Sequence, residues 1–140
     1  RFMIRYGSYF WDLRTQMLPD PEKQVSVESG HPLWWKPLVS QRILDAQHRQ
    51  VIVPLFNPPA EEEVVGTTSV GPADGVKVVL APRPGEQVTA WLLAPEPVAR
   101  RLELETKRMT DSDDGAGDRV QVTVPRFWGW TNVVFDCRTK

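Results

Sequence analysis

Apolar residues return at every second position through most of this chain, and that rhythm limits its architecture more than any other feature. Val51, Val53 and Leu55 fall on one side of an extended segment, with Ile52 and Phe56 on the other. The same spacing recurs in Val76, Val78 and Leu80, in Val88, Ala90 and Leu92, and in Leu102 and Leu104. It recurs again in Val120, Val122 and Val124, and in Val133, Phe135 and Cys137. Side chains alternate across a strand, so each run presents one face to a core. Val25 and Val27, then the run from Leu38 to Leu44, extend the pattern upstream. Loops such as "PRPGEQ" and "TDSDDGAGD" separate the strands, and no helix-length crossovers lie between them. Parallel pairing needs such crossovers, so the sheets are expected to be antiparallel. The expected fold is all-β, an antiparallel β-sandwich of Greek-key type with six to eight short strands over residues 19–140.

The stretch "RQVIVPLFNPP", Arg49 to Pro59, qualifies this picture. Its apolar residues occupy both faces, which predicts a strand covered on both sides. Pro54 has no N–H to give to a ladder, which predicts an edge position or a bulge. Asn57-Pro58-Pro59 forces an extended exit, because a residue before proline is driven from the α region. Most of the 13 prolines fall at strand ends, where they stiffen loops and limit edge-to-edge pairing.

The first 18 residues have a different period. Phe2, Tyr6, Tyr9, Phe10 and Leu13 make one helical stripe, so a short N-terminal helix is expected over 1–18. Met3, Ile4 and Trp11 widen its apolar surface. The helix is therefore read as the end of a preceding domain or as a terminal helix lying on the sheet. A start at Arg1 rather than Met favours the first of these.

Bulk properties bound the partners. At 140 residues and 41% hydrophobic content, one domain can build its own core. A formal net charge of -1 with no long basic run points away from nucleic acid and from anionic membranes. No apolar run approaches the ~20 residues that span a bilayer. Cys137 is the only cysteine, so no intrachain disulfide is expected and no thiolate-built zinc site. Alternating inward with Val133 and Phe135, it reads as a core residue. His31 and His48 lie far apart in sequence and carry no local catalytic signature. The acids of Asp111 to Asp118 break the calcium-loop spacing at Gly115, and Glu61 to Glu63 read as a solvated charge run. No cofactor, metal site or catalytic residue is expected.

"RQVIVPLFNPP" and the later order "VKVVLAPRPGEQVTAWLLAPEP" and "RVQVTVPRFWGWTNVVFD" resemble the C-terminal β-sandwich domain of glycoside hydrolases whose catalytic part is a TIM barrel, of the dextranase and cycloisomaltooligosaccharide glucanotransferase type and related glycosidases. "FMIRYGSYFWDL" is similar to the last barrel helix leading into that domain. Pro54 departs from the family pattern, which commonly carries a polar residue there. The resemblance implies a non-catalytic accessory domain that stabilises the preceding catalytic barrel and contacts its oligosaccharide. The catalytic carboxylates would lie at barrel strand ends outside these residues.

Six tryptophans open a second reading, an autonomous carbohydrate-binding module. An indole offers a flat apolar face to a pyranose and an N–H to a hydroxyl. Trp34 and Trp35 sit between Pro32 and Pro37, and Trp128 and Trp130 sit in "RFWGWTN" between two strands. These four are the candidate sugar contacts. In an extended chain Trp34 and Trp35 point opposite ways, and Trp128 and Trp130 share a face across Gly129. The same residues could instead cap the sandwich or pack at a domain junction. Trp91 is read as exposed or as touching a neighbouring domain. A third reading is a protein-interaction sandwich unconnected with sugars.

Overall fold

A computed structural model describes residues 6–11, 14–30, 32–57, 72–95, 99–111 and 117–139. The expected positions Phe2 to Ile4, Leu13, His31, Glu61 to Glu63 and most of the Asp111 to Asp118 loop lie outside them. Two antiparallel sheets face each other. The first contains β1 (Thr15–Met17), β3 (Ser40–Asp45), β4 (His48–Phe56), β10 (Trp130–Thr139), β6 (Glu86–Ala94) and β7 (Arg100–Leu104), in that spatial order. The second contains β2 (Val25–Glu28), β5 (Val76–Leu80), β9 (Gly117–Val124) and β8 (Lys107–Asp111). The last strand of the chain is thus held in the middle of the larger sheet, between β4 and β6.

The main core fills the space between the sheets. Val51, Val53, Leu55, Val133, Phe135 and Leu92 meet Val25, Val76, Val78, Leu80 and Val122 across it, all at most 2% exposed. These are the positions that the two-residue rhythm marks as inward. The outer face of the six-stranded sheet departs from simple alternation. Ile52, Val134 and Leu93 are fully buried there and join Trp91 and Tyr6 in a second apolar cluster. The central strands β4, β10 and β6 are therefore covered on both faces, and the N-terminal segment supplies part of the cover.

Three expectations are revised. The expected N-terminal helix reduces, among the described residues, to one turn, α1 (Ser8–Trp11). By Thr15 the chain is a strand, whose backbone pairs with the free edge of β3, Thr15 opposite Arg42 and Met17 opposite Ser40. Trp91 is not exposed: it is 6% exposed, under the Arg101 guanidinium, which sits 3.9 Å from its ring centroid. Pro54 lies in an interior strand rather than at an edge.

Its tolerance there has a local cause. Even-numbered residues of β4 turn their backbone groups toward β3, as Ile52 does opposite Ser40 and Phe56 does opposite Trp34. Pro54 lies between them, where a 3-10 turn at Lys36–Leu38 loops the partner chain away. The N–H that proline lacks would have had no ladder acceptor there. Val53 and Leu55 face the other way and keep the pairing with β10 intact.

Candidate functional site

The four candidate tryptophans gather at one end of the sandwich. Trp34 exchanges two backbone hydrogen bonds with Phe56, at 2.9 Å each. Phe56 pairs in register with Trp130, and the two rings stack with centroids 5.5 Å apart and planes 8° from parallel. Trp34, Phe56 and Trp130 thus form an aromatic row on the outer face of the larger sheet. Trp34 is 63% exposed, whereas Trp35 turns the other way and packs against the main core. The opposite orientation of neighbours along an extended chain accounts for the split.

Asn57 fixes the other pair. It is 6% exposed, its backbone N–H donates to the Gly129 carbonyl at 2.8 Å, and its Nδ2 donates to the Trp128 carbonyl at 2.9 Å. The Trp-Gly-Trp loop is pinned by the residue that ends β4. Sequence reasoning treated this asparagine as a strand stop only. Its place before Pro58 and Pro59 was the available signal, since a prolyl exit leaves an Asn side chain free to bond elsewhere.

Trp128 and Trp130 line one cavity of about 340 Å³, with Leu92, Ala94 and Phe127 as apolar walls and Arg100 and Arg126 as its charged residues. Trp128 is 56% exposed. Phe127 is held by a two-bond bridge to Ala73, which carries the loop across to the smaller sheet. Arg126 donates to Asp74 Oδ2 at 2.7 Å, and this hydrogen bond holds the Asp74 carboxyl below the usual carboxylate range. Among the described residues no carboxylate lines the cavity and Arg100 forms no ion pair. Trp34 and Trp35 lie outside the lining.

Two polar constellations at the opposite end were not anticipated. Arg49 donates from Nε and Nη2 to the two Glu86 oxygens at 2.8 and 2.9 Å, and from Nη1 to Gln24 at 3.1 Å. Both ion-pair side chains are 4% exposed. Pro84-Gly85 builds the turn that delivers Glu86. Gly85 has φ +82, and the Glu86 N–H donates to the Arg83 carbonyl at 3.1 Å, the pattern of a type II turn. The Arg83 N–H then donates to Glu86 Oε1 at 2.7 Å. Burial alone would raise the Glu86 carboxyl, but these donors outweigh it and hold it below its ordinary value.

On the outer face, His48 Nε2 lies 2.5 Å from Asp136 Oδ1, while Gln50 and Arg138 donate to the same carboxylate at 3.0 Å each. Burial works against the Asp136 charge, and the three partners more than offset it, so its pKa is lowered. The pair has two members of a catalytic triad, yet among the described residues no serine or threonine hydroxyl bonds to His48. A shallow groove of about 570 Å³ runs beside it, over Gln50, Thr89, Trp91 and Arg101. Cys137 is fully buried, and burial pushes its thiol up to about 12. It is a poor nucleophile at neutral pH. Among the described residues no cluster of His, Cys, Asp and Glu could hold a metal ion.

No protein-family model matches the chain, and no curated protein matches it. Among solved structures, it is similar to a cycloisomaltooligosaccharide glucanotransferase from Paenibacillus sp., crystallised with cycloisomaltoheptaose. That likeness has a TM-score of 0.71 at 17% identity over 95% of this chain. An alpha-L-fucosidase, isoenzyme 2 from Paenibacillus thiaminolyticus, overlaps less well, with a TM-score of 0.47 at 22% identity over 80% of this chain. The chain spans 19% of the glucanotransferase and 15% of the fucosidase. The β-sandwich fold is therefore shared with a portion of the much larger glucanotransferase.

Proposed function

We propose that this chain is a non-catalytic accessory β-sandwich of a glycoside hydrolase or glucanotransferase, stabilising a catalytic unit carried elsewhere in the polypeptide. One observation carries the reading: nearly the whole chain, 95%, superposes on a portion amounting to 19% of the glucanotransferase. The local chemistry is consistent with it. The carboxylates Glu86 and Asp136 are engaged by arginine, histidine and glutamine partners, and their lowered pKa values suit anchoring rather than proton donation. A polypeptide that includes the upstream residues should hydrolyse or transfer an α-glucan, and deleting residues 19–140 from it should lower its melting temperature. Turnover of a glycan by the 140-residue chain alone would overturn the reading.

A second reading, contact with carbohydrate, is favoured by one feature of the site. Trp128 is largely exposed and shares a cavity with Trp130, the arrangement that stacking on a sugar ring needs. Tryptophan fluorescence during titration with a panel of soluble oligosaccharides tests it. Trp34 contributes a separate exposed face and Trp35 a partly exposed one against the main core, so Trp128 and Trp130 lead the candidate set with Trp34 and Trp35 alongside.

A further inference from the structure

The charge of the tryptophan cavity is one-sided. Among the described residues its ionisable lining consists of two guanidiniums and no carboxylate, on a chain whose formal net charge is -1. The two guanidiniums are not equivalent. Arg126 is neutralised by Asp74 at 2.7 Å, whereas Arg100 is exposed and has no counter-ion among the described residues. Arg100 opens β7 and pairs in register with Ala94, so it belongs to the sheet face that carries Leu92 and Ala94. Among the described residues the cavity therefore combines an apolar floor, the exposed Trp128 and one cation, Arg100, without a counter-ion.

Building on the sugar-contact reading, we propose that this cavity binds an acidic saccharide, a sugar bearing a carboxylate, with Arg100 as the residue that recognises the charge. A planar guanidinium meets a carboxylate through two parallel N–H···O bonds. The Trp128 face would take the apolar side of the ring, and Leu92, Ala94 and Phe127 would form the fixed wall. At about 340 Å³ the space sits at the small end of ligand sites, which suits a short saccharide or a chain end. A charge at the start of edge strand β7 would also discourage strand pairing, but that role does not require it to line an aromatic-walled cavity.

The test titrates the 140-residue chain with uronate di- and trisaccharides and with the matching neutral sugars, followed by tryptophan fluorescence and calorimetry. The uronides should bind about tenfold or more tightly than their neutral counterparts, with an affinity that falls as salt is raised. Arg100→Gln should remove most of that preference, while Arg100→Lys should retain part of it. Trp128→Ala should abolish both, with circular dichroism showing each variant folded. Equal affinity for acidic and neutral sugars, or an Arg100→Gln variant that keeps its preference, would overturn the acidic assignment while leaving the sugar reading standing. No response to any saccharide would overturn both.

Discussion

The two ends of the sandwich handle polar and aromatic groups in opposite ways. At the end where β4 begins and β10 finishes, every ionic group in the core has a partner: Arg49 grips Glu86, Gln24 and the Arg83 N–H complete the set, and Arg108 donates to the Glu86 carbonyl at 3.0 Å. At the other end Trp128 and Arg100 stay exposed around a cavity. The difference teaches where a small sandwich can keep binding capacity. Groups whose hydrogen bonds are satisfied inside the fold have nothing left for a ligand, so recognition must come from the end left unsealed.

The sharpest way to break this comparison is to unseal the closed end. Glu86→Ala leaves the Arg49 guanidinium buried and unpaired and should lower stability by about 3–5 kcal/mol, read from urea unfolding. Replacing both partners, Arg49→Met with Glu86→Leu, should be close to neutral, because no charge is stranded. If Glu86→Ala loses less than about 1 kcal/mol, the pair does not hold this end together and the contrast fails.

At the open end the same experiment separates scaffold from surface. Trp130 is half-buried, stacks on Phe56 and belongs to the outer cluster, so Trp130→Ala should destabilise by about 1–3 kcal/mol. That is less than the closed-end lesion because the ring is already partly exposed. A larger loss would mean that the aromatic row, and not the ion pair, is the main fastening of the sandwich.

How far these features could be read from the chain alone follows from sequence distance. Strands β2, β4, β5, β6, β7, β9 and β10 follow from two-residue alternation, which is a local property. Strand β8, "KRMTD", carries one large apolar residue and lies at a sheet edge, so it leaves no such rhythm. Strand β1 has three residues, too few for any period. The double burial of β4 showed in "VIVPLF", and a terminal element lying on the sheet was one of the two readings of the first 18 residues, but that Tyr6 meets β4, β6 and β10 was not legible, since contacts across the sheet face obey no spacing rule. The ion pairs were invisible for the same reason: Arg49 and Glu86 are 37 residues apart, and His48 and Asp136 are 88 apart. The tryptophan site was partly legible, because the opposite facing of Trp34 and Trp35 is a question of alternation. Arg100 was missed because it is brought to the cavity by pairing with Ala94.

Acid should loosen the closed end in a graded way. Glu86 and Asp136 both have folded pKa values below their ordinary ones, 4.5 and 3.8. Above those values both folded and unfolded chains are ionised and the stabilisation is complete. As pH falls below them the unfolded chain binds protons first, so stability drops until the folded carboxyls are also protonated. Unfolding free energy measured by urea between pH 6 and pH 2 should decline through this window, and the Arg49→Met, Glu86→Leu variant should decline less steeply. An identical slope in both proteins would remove Glu86 from the account.

The smallest effect tests whether the two ends are independent. Trp128 is 56% exposed and Cys137 lies at the opposite end, fully buried, paired in register with Arg49. Labelling of Cys137 by a thiol reagent at pH 8 requires the core to open, because its thiol is pushed up to about 12 and no edge of it reaches water. Trp128→Ala removes surface without a buried partner, so stability should stay within about 0.5 kcal/mol, and the labelling rate should stay within about twofold of the parent. A rate raised about tenfold would show that the exposed indole braces the core from the far end. The cavity would then be a structural joint rather than a surface left free for a ligand.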